Sequence, residues 1–338
     1  MSELQAILDA AEGFRARGER VALATVVSVR GSSYRRPGAR LLVPEEGAPI
    51  GLISGGCLEE ESARLARQAL TLDAPMLVTV DHSAEGDELW GVGLGCRGII
   101  DLLAEPPQMA AETLDALRAA GAGRASYLLT GLDGERRSLT AVEADALGER
   151  AAMAVAHGRP VVIGESVLDP ILPPLHLVVC GAGPDADPLV AAGLRLGWRV
   201  SVVDPRRSLL RPERFPGAVL HDVEPGHAAD AVGAGEWTAI VLMSHDYLRD
   251  AAFLGSFIGR SVPYLGVLGP RDRTDRLLAE LEIAPTDAHL DALHAPAGLD
   301  IGADGAEEVA TAVIGEILAA LRGRSGSPLR ERRGPIHG

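Results

Sequence analysis

Apolar runs separated by glycine-rich turns, and stretches with apolar spacing of three and four, alternate along these 338 residues. The opening segment, MSELQAILDAAEGFRARGER, has helical amphipathic spacing. Apolar runs then predict strands over Val21–Val29, Arg40–Val43, Met76–Val80 and Ile99–Ala104, with a helix over Leu58–Leu70. Residues 109–165 read as a helix followed by antiparallel strands. The second half changes rhythm. Runs at His176–Cys180, Ala239–Met243 and Val262–Val267 are each followed by a helical pattern, which predicts parallel strands with right-handed connections. A last helix is expected over Ala306–Leu321. The chain is therefore expected to be α/β: an α/β domain over 1–168, a Pro-rich linker over 169–175, a doubly wound parallel sheet with its C-terminal helix over 176–322, and an Arg/Gly/Pro tail over 323–338.

The most specific stretch is VVCGAGPDADPLVAAGLRLGWRVSVVD, Val178 to Asp204. A strand-like run enters Gly181-Ala-Gly183-Pro-Asp-Ala186, a helical pattern follows, and a second apolar run ends in an acid. That is the pattern of a Rossmann dinucleotide-binding unit. Gly181 permits a tight turn, Gly183 allows close approach of a pyrophosphate, and Ala186 lets helix and strand pack. The helix start offers free N–H groups to an anion. Asp204 stands at the spacing expected for a ribose hydroxyl. Arg206 and Arg207 follow it, either as partners for a 2′-phosphate or as solvated charges, so NAD, NADP and S-adenosylmethionine all stay open.

Composition narrows the field. The net charge is −15, from 32 basic and 47 acidic side chains, which argues against a general nucleic-acid or membrane-surface role. No apolar run has the length of a membrane span, and the N-terminus lacks a signal peptide's apolar core. Three cysteines without a CxxC pair indicate neither a disulfide framework nor a structural zinc site, so a cytoplasmic setting is the simplest expectation. There is no lysine, which excludes a Walker-type or Schiff-base lysine, and no asparagine.

Several residues are candidates for chemistry. Cys57, in Ser54-Gly55-Gly56-Cys57, precedes a helix whose N-terminus lowers a thiol pKa, although Glu59, Glu60 and Glu61 oppose that effect. Cys96 lies between Gly95 and Gly98. Cys180 reads as core. Ser244-His245-Asp246 follows a strand whose carboxyl end opens onto the ligand crevice of a doubly wound sheet, so His245 and Asp246 are candidates for proton transfer or ligand contact. Asp250 lies one helical turn on. Arg271 and Arg273 hold the corresponding place after the next strand and suit a phosphate or carboxylate. Gly31-Ser-Ser-Tyr-Arg-Arg-Pro-Gly38 is either an anion cradle or a plain turn.

Taken together, Gly31-Ser-Ser with Arg36-Pro-Gly38, Ser54-Gly-Gly-Cys-Leu-Glu59, Trp90-Gly-Val-Gly-Leu-Gly-Cys96, Gly181-Ala-Gly-Pro-Asp-Ala186, Gly197-Trp198, Val203-Asp-Pro-Arg206, Ser244-His-Asp246, Gly266-Val-Leu-Gly269, Gly298-Leu-Asp-Ile-Gly302 and Gly334-Pro-Ile-His337 resemble the XdhC/CoxI-type maturation factors of molybdenum hydroxylases such as xanthine dehydrogenase. The resemblance spans nearly the whole chain in order and is weakest between about residues 105 and 165. It implies an N-terminal XdhC/CoxI domain and a C-terminal Rossmann domain. It implies a chaperone that binds molybdenum cofactor, assists its sulfuration, and inserts it into a hydroxylase apoenzyme, with a cysteine desulfurase as a further partner and a homodimeric carrier. On that basis Ser54, Gly55, Gly56, Cys57, Gly95, Cys96, Gly181, Gly183, Asp204, Arg206 and Arg271 are expected to bind cofactor, with Cys57 at the molybdenum. Two alternatives remain. One is an NAD(P)-dependent oxidoreductase with His245 as acid/base, which leaves the Cys57 and Cys96 motifs unexplained. The other is a nucleotide-sensing regulator without chemistry.

Overall fold

The computed structural model describes residues 3–31, 35–53, 59–81, 98–282 and 288–333, which fall into two compact units meeting in sequence at Pro173 and Pro174. In the first unit, helix α1 (Glu3–Ala16) precedes strands β1 (Val21–Gly31), β2 (Arg40–Pro44) and β3 (Ile50–Gly51). Helix α2 (Glu59–Leu72), β4 (Met76–Asp81) and β5 (Gly98–Glu105) follow. These strands form one antiparallel sheet in the order β3-β2-β1-β5-β4. Its two faces follow from strict alternation. Ala22, Ala24 and Val26 of β1, with Leu41 and Val43 of β2, pack under α2. Leu23 and Leu42 face the other way, onto α1 and α3 (Pro107–Gly121). Three glutamates in the first turn of α2 suit its partial positive charge.

A second antiparallel sheet of the same unit contains β6 (Ser126–Gly131), β7 (Arg136–Leu139), β8 (Val161–Ile163) and β9 (Ser166–Ile171), in the order β7-β6-β9-β8. Helices α4 (Ala141–Asp145) and α5 (Glu149–His157) fill the β7–β8 connection, and Thr140 opens α4 with a capping box closed by Glu143. Buried ion pairs join the two sheets. Arg40 of β2 donates to both oxygens of Asp169 on β9, at 2.8 and 3.1 Å, and to Thr25 Oγ1 at 2.8 Å. Arg136 of β7 pairs with Glu105 of β5, whose Oε1 also accepts from Thr113. Burial pushes the Glu105 carboxyl up against the pull of Arg136.

The linker expected over 169–175 is shorter than that in space, because 169–171 complete β9. Pro170 is admitted there since it faces Tyr127 of β6 on one side, while β8 ends opposite Leu168 on the other. No ladder bond is lost to its missing N–H on that open side.

The second unit holds the parallel sheet. Strands β10 (His176–Cys180), β11 (Arg199–Val203), β12 (Val219–His221), β13 (Thr238–Leu242), β14 (Tyr264–Val267) and β15 (Leu293–His294) lie in the order β12-β11-β10-β13-β14-β15, all parallel. Helices α6 (Ala186–Arg195) and α10 (Ala306–Leu321) cover one face over Leu177, Val179, Val200 and Val202. Helices α7 (Ala228–Val232), α8 (Tyr247–Phe257) and α9 (Arg271–Glu280) cover the other over Val178, Cys180, Ile240 and Leu242. Burial on both faces explains why the central strands read as unbroken apolar runs. Within the expected tail, Leu329–Glu331 form a 3₁₀ turn. Among the described residues no helix is long and apolar enough to cross a membrane.

Candidate functional site at the switch point of the parallel sheet

The strand order reverses between β10 and β13, and a doubly wound sheet opens its ligand crevice there. Two loops form the lips. One is Gly181–Asp185, from β10 into α6; the other is Ser244–Asp246, from β13 into α8. Gly181 has φ +116°, and a Cβ on it would lie 2.6 Å from Ser244 Cα and 2.7 Å from Met243 O. This glycine is therefore required by the meeting of the two lips rather than by a ligand. Gly183 differs: among the described residues its Cβ would meet only His245 Cδ2, at 3.7 Å. Ala186 is fully buried against the sheet, as close helix–strand packing requires.

His245 is held at φ +56°, a conformation uncommon for any residue but glycine and enriched at functional loops. Its imidazole is exposed, and Nε2 lies 3.0 Å from Oδ2 of Asp185, so the pair bridges the two lips. Asp246 caps α8 by accepting from the N–H of Arg249 at 3.0 Å. That backbone bond is the main reason its carboxyl lies below the ordinary range. Ser244 donates to the buried Asp250 at 2.5 Å, and Arg273 closes the charge balance at 2.7 Å from Asp250 Oδ2. Arg273 is thus an internal partner of Asp250, whereas Arg271 is exposed at the first position of α9.

Asp204 has no exposed surface. Its Oδ2 accepts from the Ala182 N–H at 2.7 Å and from Arg206 Nη2 at 2.7 Å. Its Oδ1 accepts from the Arg206 backbone N–H and Nε, both at 2.8 Å. Burial pushes the carboxyl up, but these hydrogen bonds outweigh it and hold Asp204 below the usual range. The expected ribose acceptor and Arg206 are therefore one unit, docked onto the glycine loop. Arg214 braces the same loop from outside: it donates to the carbonyls of Ala182 and Gly183, at 2.7 and 2.5 Å, and pairs with Asp187.

Gly181, Gly183, Asp204, Arg206, His245 and Asp246 are thus brought around one crevice, with Arg271 at the mouth of the neighbouring strand. Ser54, Gly55, Gly56, Cys57, Gly95 and Cys96 lie outside the described residues. Cys180 is fully buried, and burial with the nearby Asp250 and Asp204 raises its thiol well above the ordinary range. Asp185 and Arg214 escaped the sequence reading. Asp185 sits inside the glycine motif and carried a signal in its position two residues after Gly183; Arg214 lies on an irregular segment where no periodicity marks it.

Two family models match this chain. The one described as the XdhC Rossmann domain covers residues 177–317, and that of the XdhC and CoxI family covers residues 14–81. A Bacillus subtilis protein described as a probable xanthine dehydrogenase subunit is 30% identical over 314 residues, covering 89% of this chain and 93% of its own. The Escherichia coli molybdenum cofactor insertion chaperone PaoD is 24% identical over 304 residues, covering 89% and 84%. A solved crystal structure of a xanthine dehydrogenase from Bacillus halodurans superposes with a TM-score of 0.73 at 26% identity, over 98% of this chain and 99% of that one. Matches to both family models, and a relative at this identity over nearly its full length, place the chain in the XdhC and CoxI family.

Proposed function

We propose that this chain is a maturation factor that carries molybdenum cofactor to a xanthine dehydrogenase-type hydroxylase apoenzyme and assists sulfuration of the cofactor before insertion. The observation that carries the reading is the pairing of both family modules in one chain that aligns over most of a cofactor insertion chaperone. The crevice between β10 and β13 suits a phosphate-bearing cargo: Gly183 leaves its backbone open, and Arg206, His245 and Arg271 stand at its rim. In this proposal the soft ligand for molybdenum is Cys57. The same proposal takes a cysteine desulfurase as sulfur donor and a homodimer as the working carrier.

The test is cofactor retention. The chain is purified from cells making molybdenum cofactor, and pterin and molybdenum are measured in wild type, Cys57→Ser and Cys180→Ser. The expected result is near-stoichiometric pterin in wild type and Cys180→Ser, with loss in Cys57→Ser. Equal retention in all three removes Cys57 from the account. Absence of pterin from every preparation contradicts the carrier reading itself.

A further inference from the structure

We infer that the crevice of the parallel sheet reads a phosphomonoester through Arg206, and that Asp204 is the positioning residue of this device rather than a ribose acceptor. The inference rests on the proposal that this crevice receives the cargo, and it names the group recognised there.

A carboxylate offers about four acceptor sites. All four of Asp204 are taken: one by the Ala182 N–H and three by the backbone and side chain of Arg206. The residue is fully buried. A ribose diol arriving there finds no lone pair, and to gain one it would have to expel a charge-assisted bidentate contact.

The guanidinium tells the complementary story. It meets Asp204 side-on through Nε and Nη2, which leaves its end edge, Nη1 and the second Nη2 hydrogen, without an acceptor among the described residues. That edge is again a two-pronged donor matched to a phosphate or carboxylate. The Arg206 side chain is 37% exposed while Asp204 is 1% exposed, so the pair is sealed on one side and open on the other. Holding one edge fixes the fork before ligand arrives, which lowers the ordering cost of binding. Arg206 also lies within electrostatic range of Asp246 on the opposite lip. Gly183, whose backbone is open, and His245 lie side by side on the two lips of the same crevice, and they complete the surroundings proposed for a dianionic phosphate at Arg206. A carboxylate would use the same fork with half the charge, so a phosphomonoester is the better match.

Two sources present that group: a nucleotide bearing a 2′-phosphate and the phosphate tail of the pterin. Calorimetry separates them. Wild type is titrated with 5′-ADP, 2′-deoxy-5′-ADP, 2′,5′-ADP and isolated molybdopterin, and the last two ligands are repeated with Arg206→Lys and Arg206→Ala. The expected results are less than a twofold difference between 5′-ADP and its 2′-deoxy form, and at least a tenfold loss for 2′,5′-ADP or for molybdopterin in Arg206→Ala. Arg206→Lys should recover only part, since an ammonium restores charge without the fork. The arm that responds identifies the source. A tenfold penalty for removing the ribose hydroxyl, an unchanged Kd in both arms, or no binding of either phosphomonoester by wild type overturns the inference. Arg206→Ala leaves Asp204 short of partners, so its melting temperature is recorded; the wild-type diol comparison needs no variant. Pterin retention is measured independently, so the carrier reading and this refinement fail separately.

Discussion

The two glycines of the loop after β10 should behave oppositely when given a methyl group. In Gly181→Ala the new Cβ is driven to 2.6–2.7 Å from Ser244 Cα, Ser244 N and Met243 O, all backbone atoms that cannot rotate away. The residue also sits at φ +116°, where a side chain costs of order 1–3 kcal/mol. Displacing a packed neighbour adds about 1–3 kcal/mol. The sum, about 2–6 kcal/mol, is comparable with a large part of a domain's whole stability. In Gly183→Ala the methyl makes only an ordinary contact, 3.7 Å from the exposed His245 ring, so stability should change by no more than about 0.5 kcal/mol. Urea unfolding followed by tryptophan fluorescence is a suitable assay, because Trp198 and Trp237 both lie in the parallel-sheet unit. With a slope of about 2 kcal/mol per molar urea, Gly181→Ala should lower that unit's midpoint by about 1–3 M. Gly183→Ala should leave the midpoint in place and weaken phosphate-ligand binding instead. A Gly181→Ala midpoint within about 0.25 M of wild type, or an equal fall in both variants, refutes the assignment of Gly181 to packing and Gly183 to ligand.

Acid should destabilise the parallel-sheet unit early. Burial, with Arg199 and His221 nearby, lowers the His176 pKa from 6.5 to about 4, so the folded state prefers the neutral ring; its contribution is complete above pH 6.5 and is lost as pH falls towards 4. That loss is about 3 kcal/mol, and urea midpoints at pH 7.5 and 4.5 should show it in wild type but much less in His176→Gln. Cys180, with its raised thiol pKa and full burial, should resist iodoacetamide at pH 8 in folded protein and react in urea; labelling at equal rates in both would contradict its place in the core. Asp169→Leu alone should cost about 3–5 kcal/mol by stranding buried Arg40, whereas Arg40→Met with Asp169→Leu should restore most of that loss in a double-mutant cycle.

Much of the second unit was legible because its strands are buried on both faces and so are apolar without interruption. Val178–Cys180 and Ala239–Leu242 announce themselves, and the glycine motif marks the crevice between them. Strands β12 and β15 were not anticipated: three and two residues long, they are too short for any period to show and exist by pairing with longer neighbours. The prolines at 170, 173 and 174 mark the boundary, but Pro170 misled, since only the register of β8 reveals that its missing N–H is tolerated. The candidate site shows a similar division. Spacing identifies Gly181, Gly183, Asp204 and His245 as neighbours. It cannot say that Asp204 spends every lone pair within the protein, because that depends on the fold of the Arg206 side chain and the direction of one backbone N–H. The Arg40–Asp169 pair joins residues 129 apart, a separation at which a lone sequence carries no pairing signal.

The role proposed for this chain is delivery of cofactor to another enzyme. The direct measurement is activation of a xanthine dehydrogenase-type apoenzyme made in cells lacking this chain. The apoenzyme should be assembled but poorly active, and addition of cofactor-loaded chain should restore molybdenum content and activity together, in proportion to the cofactor supplied. An apoenzyme already replete with functional cofactor, or unresponsive to the loaded chain, would contradict the account. So would steady NAD(P)H turnover by the purified chain on a small carbonyl or alcohol, abolished by His245→Ala, which would make the crevice a hydride-transfer site.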